Sequence, residues 1–178
     1  MGTRGIYGFE RDAQLKISYN HYDSYPTGSL AQKVITFILS TTDKEMNEIF
    51  DRIILIRSDE ETPPELVQIS KDLRLYDLSV SRCKISEPYC ALRNIQGDLL
   101  AYKRYPELKW MIDAREFFTD TSLCEWGYVI NLTEKDDPVL NIYKRGNRLV
   151  KTLQLSFIRE TCKNVEEFCS QIYNTILL

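Results

Sequence analysis

The chain has 178 residues, 43% apolar and 28% charged, with a formal net charge of -3. That length and balance fit one domain with a real core and exclude a disordered chain. The acid excess disfavours a broad nucleic-acid footprint, which needs a basic face, and no apolar run approaches the roughly 20 residues of a membrane span.

Residues 3–9 read as a strand, Glu10 to Gln14 as a turn, and Leu15 to Asn20 as a second strand of alternating apolar and polar residues. Gly5 and Gly8 in the first strand mark a bulge or a close approach of backbone or ligand. The hairpin delivers the chain to Tyr19-Asn20-His21-Tyr22-Asp23-Ser24-Tyr25-Pro26, which holds the single histidine and the densest group of recognition side chains. Ser29 to Ser40 follows a helical period. Thr42 and Glu45 have capping-box spacing and open a second helix. Ile53 to Ile56 reads as a buried strand, with extension of the helix as the alternative, and Pro64 opens a helix from about Glu65 to Leu73 after an acidic loop.

Leu75 to Cys83 has no clear period. Pro88 to Tyr105 reads as one helix, weakened by Gly97. Trp110 to Asp113 is extended, and Arg115 to Thr121 makes a helical turn. Glu125 to Leu132 and Val139 to Tyr143 form a second hairpin, Leu149 to Phe157 a further strand, and Asn164 caps a C-terminal helix. Strands near both ends with four or five helices between them predict a single α+β domain over residues 1–178, its sheet mainly antiparallel.

The N-terminus lacks the apolar core of a signal peptide, and Ile6 stands where a myristoylation motif wants Ser or Thr. Five cysteines without C-x-x-C spacing read as reduced, mostly buried thiols of a cytoplasmic protein. One histidine and scattered cysteines give no metal site, and no motif demands a cofactor. Gly5-x-x-Gly8 is too short for a phosphate loop. Asp136-Asp137 and Glu166-Glu167 read as solvated or dipole-matched pairs, and the Lys144, Arg145, Arg148, Lys151 cluster as a solvated hairpin end.

Met1-Gly2-Thr3-Arg4-Gly5, Tyr19 to Pro26, Gln96-Gly97-Asp98-Leu99 and Ser122 to Leu132 together resemble a set of bacterial and bacteriophage proteins of about this length, over residues 1 to about 146. The set brings no catalytic residues with it. The resemblance implies a phage or mobile-element setting in a bacterial host cell, where small ligand-binding or partner-binding proteins counter host defence.

The expected binding surface joins Arg4 and Tyr7 to Asn20, His21, Tyr22, Asp23 and Tyr25. Glu125 and Trp126, with Tyr128, offer an aromatic wall for a flat ligand, although core packing explains the pair as well. Arg4 suits a phosphate or carboxylate. Asp23 and Ser24 have an alternative role in ordering the turn before Pro26. The expectation is therefore a binding protein for a nucleotide-like small molecule or a host protein. An amide hydrolase of the N-terminal-nucleophile type is the alternative, although Gly2 supplies no nucleophile. A self-associating structural protein is the third reading.

Overall fold

The computed structural model describes residues 2–77, 79 and 83–177. Leu75 to Cys83 therefore lies partly outside the described residues, as does Met1 of the first motif. Strand β1 (Gly5–Arg11) and strand β2 (Gln14–Asn20) form the first hairpin. Its turn is tighter than the sequence implies: Asp12 and Ala13 alone turn the chain, at φ 49° and 63°. A two-residue loop with both φ values positive matches the right-handed twist of the flanking strands.

Helix α1 (Ser29–Ser40) has the predicted bounds and buries Leu30, Val34, Phe37 and Ile38. Helix α2 (Asp43–Arg52) starts from the complete Thr42–Glu45 capping box. Strand β3 (Ile54–Ile56) pairs in parallel with β4 (Trp110–Ile112) as a small separate sheet, and Ile54 is exposed rather than buried. Helix α3 (Pro64–Asp72) follows its N-terminal proline.

The single helix expected over Pro88–Tyr105 is not formed. Helix α4 (Pro88–Ala91), a short 3-10 turn over Arg93–Ile95 and helix α5 (Leu100–Arg104) replace it. Gly97 sits at φ 77°, which no helix accommodates. Helix α6 (Arg115–Phe118) precedes β5 (Trp126–Asn131), β6 (Val139–Lys144) and β7 (Leu149–Gln154). The expected last strand ends early, because Leu155 begins helix α7 (Leu155–Thr161). The alternation there ran into a helix whose Leu155 and Ile158 both reach the core. Helix α8 (Val165–Leu177) follows, with the Asn164 side chain accepting from Glu167 N–H at 2.9 Å. There are thus eight helices among the described residues, against four or five expected.

The fold is α+β. The main sheet runs β2-β1-β5-β6-β7, antiparallel except where β1 lies parallel to β5. Both faces of β1 and β2 are covered. Tyr7 and Phe9 enter the large core with α1, α2, α7 and α8, while Ile6 and Ile17 enter a smaller cluster with Phe118, Cys124 and Val129.

This double cover changes the meaning of the alternation in β2. Lys16, Ser18 and Asn20 are the polar members of that alternation, yet all three are buried. Buried polar groups must be hydrogen-bonded. Lys16 Nζ donates to the carbonyls of Phe50 and Ile53 at 2.6 and 2.7 Å, closing the end of α2.

Candidate functional site

Asn20 does for the next loop what Lys16 does for α2. Its amide donates to the Tyr22 carbonyl and, at 2.9 Å, to Ser24 Oγ. Ser24 is fully buried; its N–H donates to Thr3 O at 3.2 Å, and its carbonyl accepts the buried Tyr128 hydroxyl at 2.9 Å. Asp23 adopts φ 57° and accepts from Ser29 N–H at 2.7 Å, so its carboxylate caps α1. The Tyr19–Pro26 stretch is therefore built from the inside. Asn20, Asp23 and Ser24 hold its shape, and no nucleophile triad exists, because Ser24 is sealed away from His21. Asn20→Ala removes one buried and one part-buried hydrogen bond and should cost about 2 kcal/mol in urea denaturation. A loss near zero would show that the loop holds itself.

The other quoted motifs converge on the same corner. Gly97 packs against Asn20, and a Cβ added there would meet Asn20 Oδ1 at 2.9 Å. Gly5 approaches so closely that a Cβ would meet Trp126 O at 2.5 Å and the Ser24 side chain at 2.8 Å. Glu125 accepts from Arg4 N–H at 3.2 Å, and its own N–H donates to Arg4 O at 3.0 Å. Segments separated by more than 100 residues in sequence thus form one end of the β1–β5 pair.

What this scaffold presents outward is His21 and Tyr22. They line a cleft of about 200 Å³ with Lys33, Asp77, Arg93, Asn94 and Gln96. Tyr22 is 63% exposed, unusual for a large aromatic ring. Tyr19 Oη lies 3.0 Å from His21 Nδ1, and the Tyr19 ring packs edge-on against Phe117 at 4.9 Å. Burial, then neighbouring Tyr89, raises the Tyr19 pKa, while the Arg4 and Arg93 guanidiniums oppose that rise. Arg93 pairs with Asp77 at 3.3 Å and lies 5.4 Å from the Tyr89 ring centre. Lys33 forms no ion pair among the described residues. Two cations against one carboxylate leave the cleft net positive.

The expected surface is thus brought together only in part. His21 and Tyr22 face the cleft. Tyr25 is 46% exposed but lies outside its lining, and Asp23 is exposed with its carboxylate engaged as a cap. Tyr7 and Asn20 are buried behind the wall. Trp126 and Tyr128 are core residues, so the aromatic wall expected at β5 is closed to a flat ligand by packing. Burial pushes the Tyr7 hydroxyl to about 12. Lys33, Asp77, Arg93 and Asn94 were not identified from sequence. The Gln96-Gly97 motif next to Arg93 was the one available signal.

A wider opening of about 660 Å³ lies beyond the ends of β3 and β4. Its arginines are already occupied: Arg57 holds Asp59 through two hydrogen bonds of 2.9 Å, and Arg115 clamps Asp113. The hydrogen bonds to Arg115 hold the Asp113 carboxyl below its usual range although burial raises it. With Glu116 on the rim as well, three carboxylates face two guanidiniums, so that opening is net negative, and no aromatic side chain lines it. Among the described residues, no group of three or more His, Cys, Asp or Glu could hold a metal ion, and no helix is long and apolar enough to cross a membrane.

No family model, no curated protein and no solved structure matches this chain.

Proposed function

We propose that this chain is a binding protein whose His21–Arg93 cleft takes a small anionic molecule carrying a flat ring, such as a mononucleotide. The observation that carries the reading is the meeting of Lys33 and Arg93 with the exposed Tyr22 ring in one concave site. Cations supply charge-assisted hydrogen bonds to phosphate, and an exposed aromatic face stacks on a base. The cleft is below the 300 Å³ at which ligand pockets usually begin, which favours a ligand that is gripped at its phosphate and leaves part of itself in solvent. In the phage or mobile-element setting implied by the motif strings, such a protein would sequester a nucleotide in the bacterial host. A host protein is the second reading, favoured by the exposure of both Tyr22 and Tyr25. Aromatic residues of this kind anchor protein interfaces.

Native mass spectrometry of the purified protein, before and after denaturation, separates the two. A released small molecule supports the cleft reading, and a clean protein mass that pairs with a host protein supports the second. His21→Ala and Tyr22→Ala, at exposed side chains, should each change stability by less than about 1 kcal/mol, and Arg93→Ala, which gives up the Asp77 ion pair, by about 1 kcal/mol. Each should weaken mononucleotide binding about tenfold or more in calorimetry, equivalent to roughly 1.4 kcal/mol. Unchanged affinity in all three variants would exclude this cleft as the site.

A further inference from the structure

The cysteines do not all remain thiols. Cys83 and Cys90 are joined as a disulfide, while Cys124, Cys162 and Cys169 are free and buried. This corrects the expectation of five reduced thiols, and it places a covalent bond at the root of the cleft's far wall.

That wall consists of two short segments, 74–77 and 89–94. Leu75 and Leu92 anchor it in the core, and the Ser70 hydroxyl donates to Ala91 O at 2.6 Å; the polar links between the two segments are few. Asp77 N–H donates to Cys90 O at 3.3 Å, and Asp77 pairs with Arg93. Arg93 also donates to Tyr89 Oη at 3.3 Å. Asn94 donates through its side chain to Arg74 O and Tyr76 O, and through its N–H to Leu75 O. Single polar contacts of this sort each contribute only modestly in water. The disulfide is of a different order, because it fixes Cys83, six residues after Asp77, onto α4 directly beside Tyr89. Cys83 is half-buried and Cys90 buried, so Cys83 is the less enclosed end of the bond.

We propose that the Cys83–Cys90 disulfide is a thiol-exchange site whose reduction loosens the Asp77–Arg93 wall and lowers the affinity of the cleft. The reactant is a dithiol of the thioredoxin or dithiothreitol class. Its thiolate attacks one sulfur, and the resulting mixed disulfide is displaced by the second thiol. The protein gains two electrons and two protons as two thiols, and the reductant leaves as its own disulfide. The affinity part of the proposal rests on the mononucleotide reading of the cleft. The structural part does not.

The test uses the full chain, oxidised and after dithiothreitol, with amide hydrogen exchange and an AMP titration run in parallel. Reduction should speed exchange at the Asp77 and Asn94 amides at least tenfold, leave β1 and β5 amides unchanged, and weaken AMP binding at least tenfold. Cys83→Ser should match the reduced protein with or without reductant. Unchanged exchange at Asp77 and Asn94 overturns the proposal, and so does equal acceleration throughout the sheet, which would make the bond a general staple. Equal AMP affinity in both forms overturns the coupling to the cleft. If neither form binds AMP, the nucleotide reading has failed and with it the affinity claim, and the exchange result alone decides whether the bond governs the wall.

Discussion

Gly8→Ala is expected to leave little folded protein. Gly8 lies in the centre of β1, paired with Ile17 on one side and Val129 on the other, at φ 146°. An L-residue there is strained, at roughly 1–3 kcal/mol. Sterics add more, since a Cβ would sit 2.2 Å from Lys16 O and 2.8 Å from Ile17 Cα. Both atoms are backbone, and β2 cannot retreat easily because Lys16 is tied to the end of α2. A cost above about 4 kcal/mol follows, a large share of the 5–15 kcal/mol that holds a typical domain together. Urea denaturation followed by circular dichroism checks it. A loss under about 1 kcal/mol would mean that β1 and β2 separate freely, and that the hairpin is not the rigid support of the His21 loop.

Alkaline pH should unfold the protein through groups the sequence alone would not single out. Burial pushes the Tyr7 hydroxyl and the Cys124 and Cys169 thiols to about 12, and holds Tyr102 and Tyr128 well above the ordinary phenol value. In the unfolded chain the phenols titrate at 10.0 and the thiols at 9.0. Above those values the unfolded state binds fewer protons than the folded state, so stability falls as pH rises. Stability from these groups is intact below pH 9 and declines toward 12. The loss is on the order of 4 kcal/mol by pH 10 and about twice that by pH 11. Denaturation midpoints measured from pH 8 to 11 should drop steeply above 9, and Cys169→Ala should blunt the drop. A flat profile to pH 11 would show that these groups are reached by water in the folded state.

The candidate site was half legible. His21 and Tyr22 stood out because a lone histidine and clustered tyrosines are visible in any linear reading. Asp23 and Ser24 stood out for the same reason, yet their groups are spent on Ser29, Thr3 and Asn20. Chemistry-bearing residues look alike in sequence whether they face a ligand or their own backbone. Arg93, Asp77 and Lys33 were invisible because they join His21 only when α1 and the segments 74–77 and 89–94 dock. The disulfide was hidden for a related reason: a seven-residue spacing is compatible with pairing but does not require it.

Local signals determined the elements that depend on a few neighbours. The Thr42–Glu45 box, the Asn164 cap, the extent of α1 and the proline start of α3 all act across three or four residues, so the sequence carries them in plain form. The α+β class followed from where such elements fell along the chain. Tertiary structure decided the parallel docking of β1 on β5, the burial of Lys16, Ser18 and Asn20, and the switch from strand to helix at Leu155. Each depends on which surface covers a face. A period of two records only that a strand has two faces, and the second layer of packing settles which of them stays wet.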